Sequence, residues 1–538
     1  MLIRESPSHD VCVWIQVEYH GRGVTIFLTC TEPRMWPKKK YITPKRAVVN
    51  SYENIDDMES TRDLADETEV SLDSLIDYIG LGPFHVCVFL LTCGGYFAFC
   101  TEIMLYIFLS SKLTEQFGVS DLEYSVLPSS SNLCNIFGGW TVGAFSDHFG
   151  RKWPYAFFVA LIFCFGLGSA FAPSFWVFLA VRAFVSFSIG GVITCLFPTL
   201  LEFLPTKNRG GTMTCVTLCG ALGSCSAAGL AWWLLPTYPI NGWRYLTIAC
   251  AVPTFFICVI RIAFPFESPK FLLHANKQEQ LRRVIRAMLW CHRKNFSRDF
   301  GVDLESVNIV RYVQCTHAEN EHVLTEARRP SSCLTCAKGP LKVLELFKKH
   351  HRWKTIPLTV AAVCMSVAFW GTSLFITQYF TRVGIDPYFT TFVSFLAQLP
   401  GIALVAIITD WPKVGRLNTM RLYSFLGAVS LMVLAFGDNV VVRSVCSIFV
   451  YFSLPPLYAV VYTYVSEAYP TSVRASATSY VVLATCVPGT VSPFISGYLA
   501  GSSLVWLYPL IWSCVMAAMF VASLCLRYET AGRSTDPQ

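Results

Sequence analysis

The sequence predicts an all-α membrane protein, with twelve transmembrane helices in two pseudo-symmetric six-helix bundles. Three observations carry that prediction. Hydrophobic residues make up 54% of the 538 and charged residues only 14%, where soluble domains are roughly a quarter charged. The charges are also segregated. Windows such as residues 153–173 contain none, and about 20 apolar residues at 1.5 Å each cross the hydrocarbon of a bilayer. The third observation is a repeat. Glu202-Phe203-Leu204-Pro205-Thr206, closing on Arg209, returns as Glu467-Ala468-Tyr469-Pro470-Thr471, closing on Arg474. Gly150-Arg151 returns as Gly415-Arg416 at the same offset of 265 residues. Two unrelated landmarks sharing one offset mark a duplicated bundle, and parallel duplication within a membrane is a transporter architecture.

The elements follow in order. Residues 1–80 read as a cytoplasmic tail, mostly disordered: Lys38-Lys39-Lys40 is basic, and 53–77 is rich in Asp, Glu and Ser. Residues 11–30 look locally strand-like, and Leu72–Ile79 forms a short amphipathic approach ended by Gly80-Leu81-Gly82. The first apolar span starts near Pro83, too far into the chain for a cleaved secretory signal. The first bundle covers 84–265, with spans at about 84–110, 124–146, 153–173, 176–201, 211–235 and 244–265. A charged cytoplasmic linker with some helix covers 266–352. The second bundle covers 353–526, with spans at about 353–380, 388–409, 420–437, 441–466, 476–499 and 503–526, and a tail covers 527–538. With both termini cytoplasmic, the short inner loops carry eight Lys and Arg and the outer loops four. That asymmetry is the positive-inside pattern.

The same features exclude other classes. The net charge of +7 is spread along span ends, so it does not form a nucleic-acid face. Most of the 22 cysteines lie inside spans, where Cys behaves as a small hydrophobe, and no disulfide scaffold is expected. Cys333 and Cys336 have zinc-ligand spacing, but Cys291, His292, Cys315 and His317 are scattered and supply no second tight pair, so no metal is expected. Asn295-Phe296-Ser297 matches a glycosylation triplet on what reads as the cytoplasmic side, where it stays unmodified. A phosphate-binding Gly-Lys-Ser/Thr loop is missing, which disfavours ATP-driven pumping. The sequence also lacks a paired nucleophile and base at membrane depth, so the protein is read as a non-enzyme without cofactors.

Ionisable residues inside spans are few and therefore informative, since an unpaired charge at mid-bilayer costs about 2.5–3.5 kcal/mol. Glu102 in span one and Arg182 in span four both fall within roughly 9–13 Å of the outer surface. They are expected to face a central cavity and pair there. Trp370, Gln378, Tyr379 and Gln398 in spans seven and eight are further candidates for the cavity lining.

Between spans two and three, Gly143-Ala144-Phe145-Ser146-Asp147-His148-Phe149-Gly150-Arg151-Lys152 resembles the signature loop of the major facilitator superfamily. The second copy, Asp410-Trp411-Pro412-Lys413-Val414-Gly415-Arg416, keeps the Asp and Gly-Arg with two extra residues between them. The Glu-x6-Arg sentences resemble the partner half of that signature in sugar-porter-like and organic-ion-transporter-like members. The resemblance implies a cytoplasmic gate in which Arg151 and Arg416 pair with Glu202 and Glu467. Arg209 and Arg474 would join them, Asp147 would sit against a neighbouring helix N-terminus, and Gly150, Asp410 and Gly415 belong to the same gate set. Such pairs would clasp the two bundles to each other and break when the cavity opens inward. Phe266-Glu267-Ser268-Pro269-Lys270-Phe271-Leu272-Leu273 is similar to the run opening the central linker in the organic-ion and synaptic-vesicle-related branches. Ile76-Asp77-Tyr78-Ile79-Gly80-Leu81-Gly82-Pro83-Phe84 and the short loop after span one resemble the synaptic-vesicle-related members. Where drug/proton antiporters carry Gln-Gly after the span-four Arg, this chain has Val185-Ser186, and span eleven has no charge. Neither proton antiport nor the sign of the solute therefore carries over.

These features together predict secondary or facilitative transport of a small organic solute, charged or zwitterionic, by alternating access. A proton or sodium ion could be coupled, and the protein would act as a monomer in a plasma or vesicle membrane. The competing class is a non-transporting receptor or vesicle scaffold on the same fold.

Overall fold

The computed structural model describes residues 16–17, 24–25, 68–205, 209–294, 296–300, 304, 307–310, 346–348, 352–409, 411, 414–469, 471–502, 504–526 and 528–530. Residues 1–66 form one unit and 67–538 another. In the first, β1 (Gln16–Val17) pairs antiparallel with β2 (Val24–Thr25), inside the stretch whose composition looks strand-like. The rest of the expected disordered tail up to residue 67 lies outside the described residues.

The second unit opens with β3 (Thr68–Ser71) and α1 (Leu72–Ile79). The first half then runs α2 (Pro83–Phe117), α3 (Asp121–Tyr124), α4 (Val126–Phe149), α5 (Lys152–Ser169), α6 (Phe175–Phe203), α7 (Arg209–Thr237) and α8 (Gly242–Ala263). The linker holds α9 (Pro269–His274), α10 (Gln278–Cys291), α11 (Phe296–Phe300) and β4 (Val307–Val310). The second half runs α12 (Arg352–Leu374), α13 (Ile376–Val383), α14 (Pro387–Leu396), α15 (Gln398–Ile408), α16 (Gly415–Phe436), α17 (Val440–Ala468), α18 (Thr471–Gly501) and α19 (Leu507–Cys525).

Eleven described helical segments are long and apolar enough to cross a membrane, with α14 and α15 together making one of them. The 24-residue α4, rich in Ser and Gly, occupies the position of the expected second span. Apolar side chains such as Trp140, Phe171, Trp233 and Ile407 point outward and are exposed, which suits a hydrocarbon surround rather than water. Helix ends carry ordinary stop and start signals. Pro83 opens α2, Gly118 closes it in the left-handed conformation, and Asp386 caps α14.

The duplication is visible in the packing. In the first half α2 packs on α7 and α8, α5 on α6 and α8, and α4 on α6. In the second half α12 packs on α18 and α19, α16 on α17 and α19, and α14 and α15 on α17. The halves meet through α4 against α18, α7 against α14 and α15, and α2 against α13. Small residues let helices approach closely. A methyl group at Gly138 of α4 would strike the backbone of α6 at Phe187, and one at Gly190 of α6 would strike α4 at Asn135.

The end of the leader is part of this folded body. Leu72, Leu75, Ile76 and Ile79 form one buried stripe of α1, and Gly80, at φ +69, ends the helix. The stripe joins Leu281, Val284, Ile285, Met288 and Leu289 of α10 and the ends of α2 and α6 at Phe84, Val88, Leu200 and Phe203 in a single apolar cluster. Each such side chain contributes up to about 1.5–3 kcal/mol on burial. β3 pairs in parallel with β4, Thr68 opposite Val307 and Ser71 opposite Val310, and Lys270 meets Asp73 at 2.9 Å. This leader–linker body marks one end of the bundles, called the linker side below.

Candidate functional site

Two corners on the linker side share one design. α4 ends at Gly150, whose φ of +86 turns the chain into α5. The Glu267 carboxylate sits where a Gly150 side chain would be and accepts from the backbone N–H groups of Arg151 (2.8 Å) and Lys152 (3.0 Å). A carboxylate there caps the positive end of α5. The Arg151 guanidinium turns to Glu202 at the end of α6, at 2.9–3.0 Å, and Ser268 also donates to Glu202. In the second half Gly415, at φ +71, precedes Arg416, and Glu529 accepts from the N–H groups of Arg416 (2.8 Å) and Leu417 (3.0 Å). Arg416 reaches Glu467 of α17 at 2.9–3.0 Å and also donates to the Thr409 carbonyl.

One expectation is corrected here. Arg151–Glu202 lies wholly within the first bundle, and Arg416–Glu467 wholly within the second. Each pair braces its own half, and neither clasps the halves together. The physical reason is that each Gly-Arg and its Glu belong to one copy of the duplicated unit, which folds on itself. Asp410 and the side chains of Asp147, Arg209 and Arg474 lie outside the described residues. Glu267 and Glu529 complete the two corners, although the repeat names neither. Glu267 stood in the linker-opening motif, which was a usable signal, whereas Glu529 falls in what read as a tail and misses the 265-residue offset.

Between the bundles lies a narrow, nearly closed cleft, lined among others by Tyr106, Ser131, Asn132, Asn135, Ser186 and Trp370. Asn132 donates across the divide to the Gly489 carbonyl of α18 at 3.0 Å. Of the cavity candidates, Trp370 is among the residues that line the cleft. Glu102 and Arg182 do form an ion pair, at 2.7 Å, with a second guanidinium nitrogen donating to the Glu102 carbonyl at 2.9 Å. Both side chains are 0% exposed and neither lines the cleft, which corrects the expectation that they face it. Tyr106 intervenes: the Arg182 guanidinium lies 5.0 Å from its ring, and its hydroxyl meets Ser186 (3.0 Å) and Ser131 (3.1 Å) at the wall. Depth along a helix can be counted from sequence, but rotation about its axis cannot. Among the described residues, Oε1 of Glu102 and Nε of Arg182 have no hydrogen-bond partner.

The other three candidates are also displaced from the cleft. Tyr379 donates to the Leu434 carbonyl at 2.7 Å and stacks on Tyr508, inside the second bundle. Gln398 is buried where the halves meet, 3.7 Å from the Cys225 thiol of α7. Gln378 donates to Asp121 of α3 at 2.9 Å, and Arg382 stands 3.5 Å from the same carboxylate. Those contacts belong to a cross-bundle seam on the side away from the linker. There Thr377 donates to the Ile107 carbonyl (2.9 Å), Ser111 meets Tyr388 (3.3 Å), and Trp232 stacks on Phe392.

Comparisons with known proteins agree with this architecture. The Major Facilitator Superfamily profile matches residues 91–493. The chain is 22% identical over 492 residues to organic cation/carnitine transporter 7 of Arabidopsis thaliana, covering 87% of this chain and 96% of that protein. It is 24% identical over 495 residues to the synaptic vesicle 2-related protein of Xenopus laevis, covering 86% and 81%. Its fold matches the xylose transporter XylE from E. coli in a partially occluded inward-open conformation, with TM-score 0.60 and 15% identity, over 82% of this chain and 98% of that one. The chain belongs to the Major Facilitator Superfamily, in the branch of the organic ion transporters and synaptic vesicle 2-related proteins.

Proposed function

We propose that the linker side faces the cytoplasm and that the conformation described is closed toward the outside. Membership of this family makes the chain a multi-pass membrane transporter of small organic solutes that works by alternating access. The observation that carries the finer reading is the seam around Asp121, Gln378, Arg382 and Thr377, which binds the halves at the end away from the linker. The excess of Lys and Arg in the short loops of the linker side supports the same orientation.

The solute site is the cleft between Tyr106 and Trp370. Two aromatic residues beside the amides of Asn132 and Asn135 suit a charged or zwitterionic organic solute. Amides offer both donors and acceptors, and ring faces attract cations. Relatives named for organic cations and for organic anions are both at hand, so their names leave the sign open. Behind the wall, Glu102 is the coupling group. A proton on its carboxylate removes the charge that holds Arg182, and Arg182 supports Tyr106.

Two measurements test this. Purified protein is screened for thermal stabilisation by organic cations, anions, zwitterions and neutral sugars, since a ligand stabilises by mass action. Stabilisation by a charged class, lost in Trp370→Ala and Asn132→Ala, is expected; stabilisation by neutral sugars alone overturns the solute class. In proteoliposomes, Glu102→Gln should keep counterflow within about twofold of wild type and lose accumulation driven by a pH gradient. Accumulation undiminished in that variant removes Glu102 from coupling.

A further inference from the structure

The leader–linker body meets the bundle through two histidines. His85, in the first turn of α2, is 3% exposed, and its Nε2 lies 2.9 Å from the carbonyl oxygen of Phe203, the last residue of α6. His292, just past α10, places Nδ1 2.6 Å from the Met288 carbonyl oxygen. The remaining nitrogens, Nδ1 of His85 and Nε2 of His292, face each other at 3.2 Å. The rings cross edge to face, with centroids 5.1 Å apart. His292 is seated closely enough that a methyl at Gly82 would strike its ring.

The acceptors decide where hydrogens sit. A carbonyl only accepts, so Nε2 of His85 and Nδ1 of His292 must both carry hydrogen. If both rings were neutral, the two facing nitrogens would present lone pairs to each other at hydrogen-bond distance. One additional proton turns that contact into an N–H···N bond and makes all three contacts favourable. We propose that His85 and His292 form a binding site for a single proton, which docks the linker on the linker-side ends of α2 and α6. The solvent-accessible partner, His292, carries the charge and donates at both nitrogens. His85 stays neutral, donating to Phe203 and accepting from His292.

Other titratable groups flank the pair. On α1, Tyr78 donates to Asp299 of α11, and burial followed by that bond pushes its phenol up to about 12, out of the range of interest. Lys294 donates to the Tyr78 carbonyl and lies 4.6 Å from its ring. Asp77 is on α1, and Arg293 beside His292 is exposed. On α6, Glu202 is held by Arg151 and Ser268. Among the described residues, no carboxylate bonds to either imidazole.

Docking takes up a proton, so by linkage it weakens as pH rises. Two separated imidazoles together hold one proton near pH 6.5 and less than one above it, so the weakening lies above that pH. The site lies one residue from Glu202, so its proton reports on the corner that braces the first bundle.

The test is hydrogen exchange of the full chain in lipid nanodiscs, read as protection factors so that the chemical pH dependence cancels. Protection of peptides from 281–292 should fall at least about threefold between pH 6.5 and pH 8.5, against a linkage limit of about tenfold per pH unit for one proton. Protection in α19 should stay level. In His292→Gln the side-chain amide still donates to His85 but does not titrate, so its profile should be flat, whether at the docked level or at the wild-type high-pH level. A flat wild-type profile, or a slope that survives in His292→Gln, overturns the proposal.

Discussion

The two linker-side corners perform the same chemistry in different company. In each, a glycine at positive φ lets a carboxylate cap the next helix, and the following arginine pairs with a Glu from the fourth membrane span of its own half. The first corner is tied further. Glu267 and Ser268 lead directly into α9, and through it into the apolar cluster formed by the leader, α10 and the ends of α2 and α6. The second corner takes its cap, Glu529, from the segment after α19, and Arg416 spends one nitrogen on the Thr409 carbonyl instead. Duplication thus preserved the brace, while the material between the two copies made the first corner the one that a linker can sense.

The largest expected effect tests the equivalence directly. Gly150→Val and Gly415→Val each force a β-branched residue into a left-handed backbone and displace a capping carboxylate. Each should cost on the order of 3 kcal/mol and lower the melting temperature in detergent similarly. A loss at only one corner would break the symmetry argument. Next come Arg151→Ala and Arg416→Ala, each leaving a half-buried Glu unpaired, at about 2 kcal/mol. Adding Glu202→Ala or Glu467→Ala should recover part of that loss, and a double-mutant cycle with no coupling would show that the pairs do not brace.

Smaller still are Glu267→Gln and Glu529→Gln, at about 1 kcal/mol each for a helix-end charge. Here the corners should part company. Glu267→Gln should raise hydrogen exchange in α1, and Glu529→Gln should leave α1 unchanged; equal effects would deny the first corner its special link. The smallest effect is on the opposite side. Asp121 and Arg382 are partly exposed, so Asp121→Asn should shift the balance toward the outward-open form by less than about 1 kcal/mol. Faster labelling of a cysteine placed at Ser131 from the outside would report it.

Much of this was legible in advance, for reasons that differ by residue. The helix at Leu72–Ile79 and its glycine stop were readable because the apolar spacing and the stop are local. The Arg151 and Glu202 partnership was readable from recurrence, but its direction was misread, because a repeat shows that two residues matter without showing which bundle they serve. The pairing of Glu102 with Arg182 is readable from their scarcity within spans, but their place relative to the cleft is not, because Tyr106 stands in front of them. Glu529 and the His85–His292 contact gave no sequence signal, since their partners lie more than a hundred residues away.

Composition and order alone determined that this chain crosses the membrane repeatedly, that its second half copies its first, and where its charges collect. Those properties sum locally, since each apolar residue adds its own transfer free energy wherever its neighbours point. The tertiary structure decided which face of each helix meets the cleft, that the arginine braces close within a bundle, and that the leader docks on the linker. Inside a bilayer both lipid and protein are apolar, so hydrophobicity does not fix the rotation of a helix. Close packing of small residues and the pairing of a few polar groups fix it, and both depend on segments far apart in the chain.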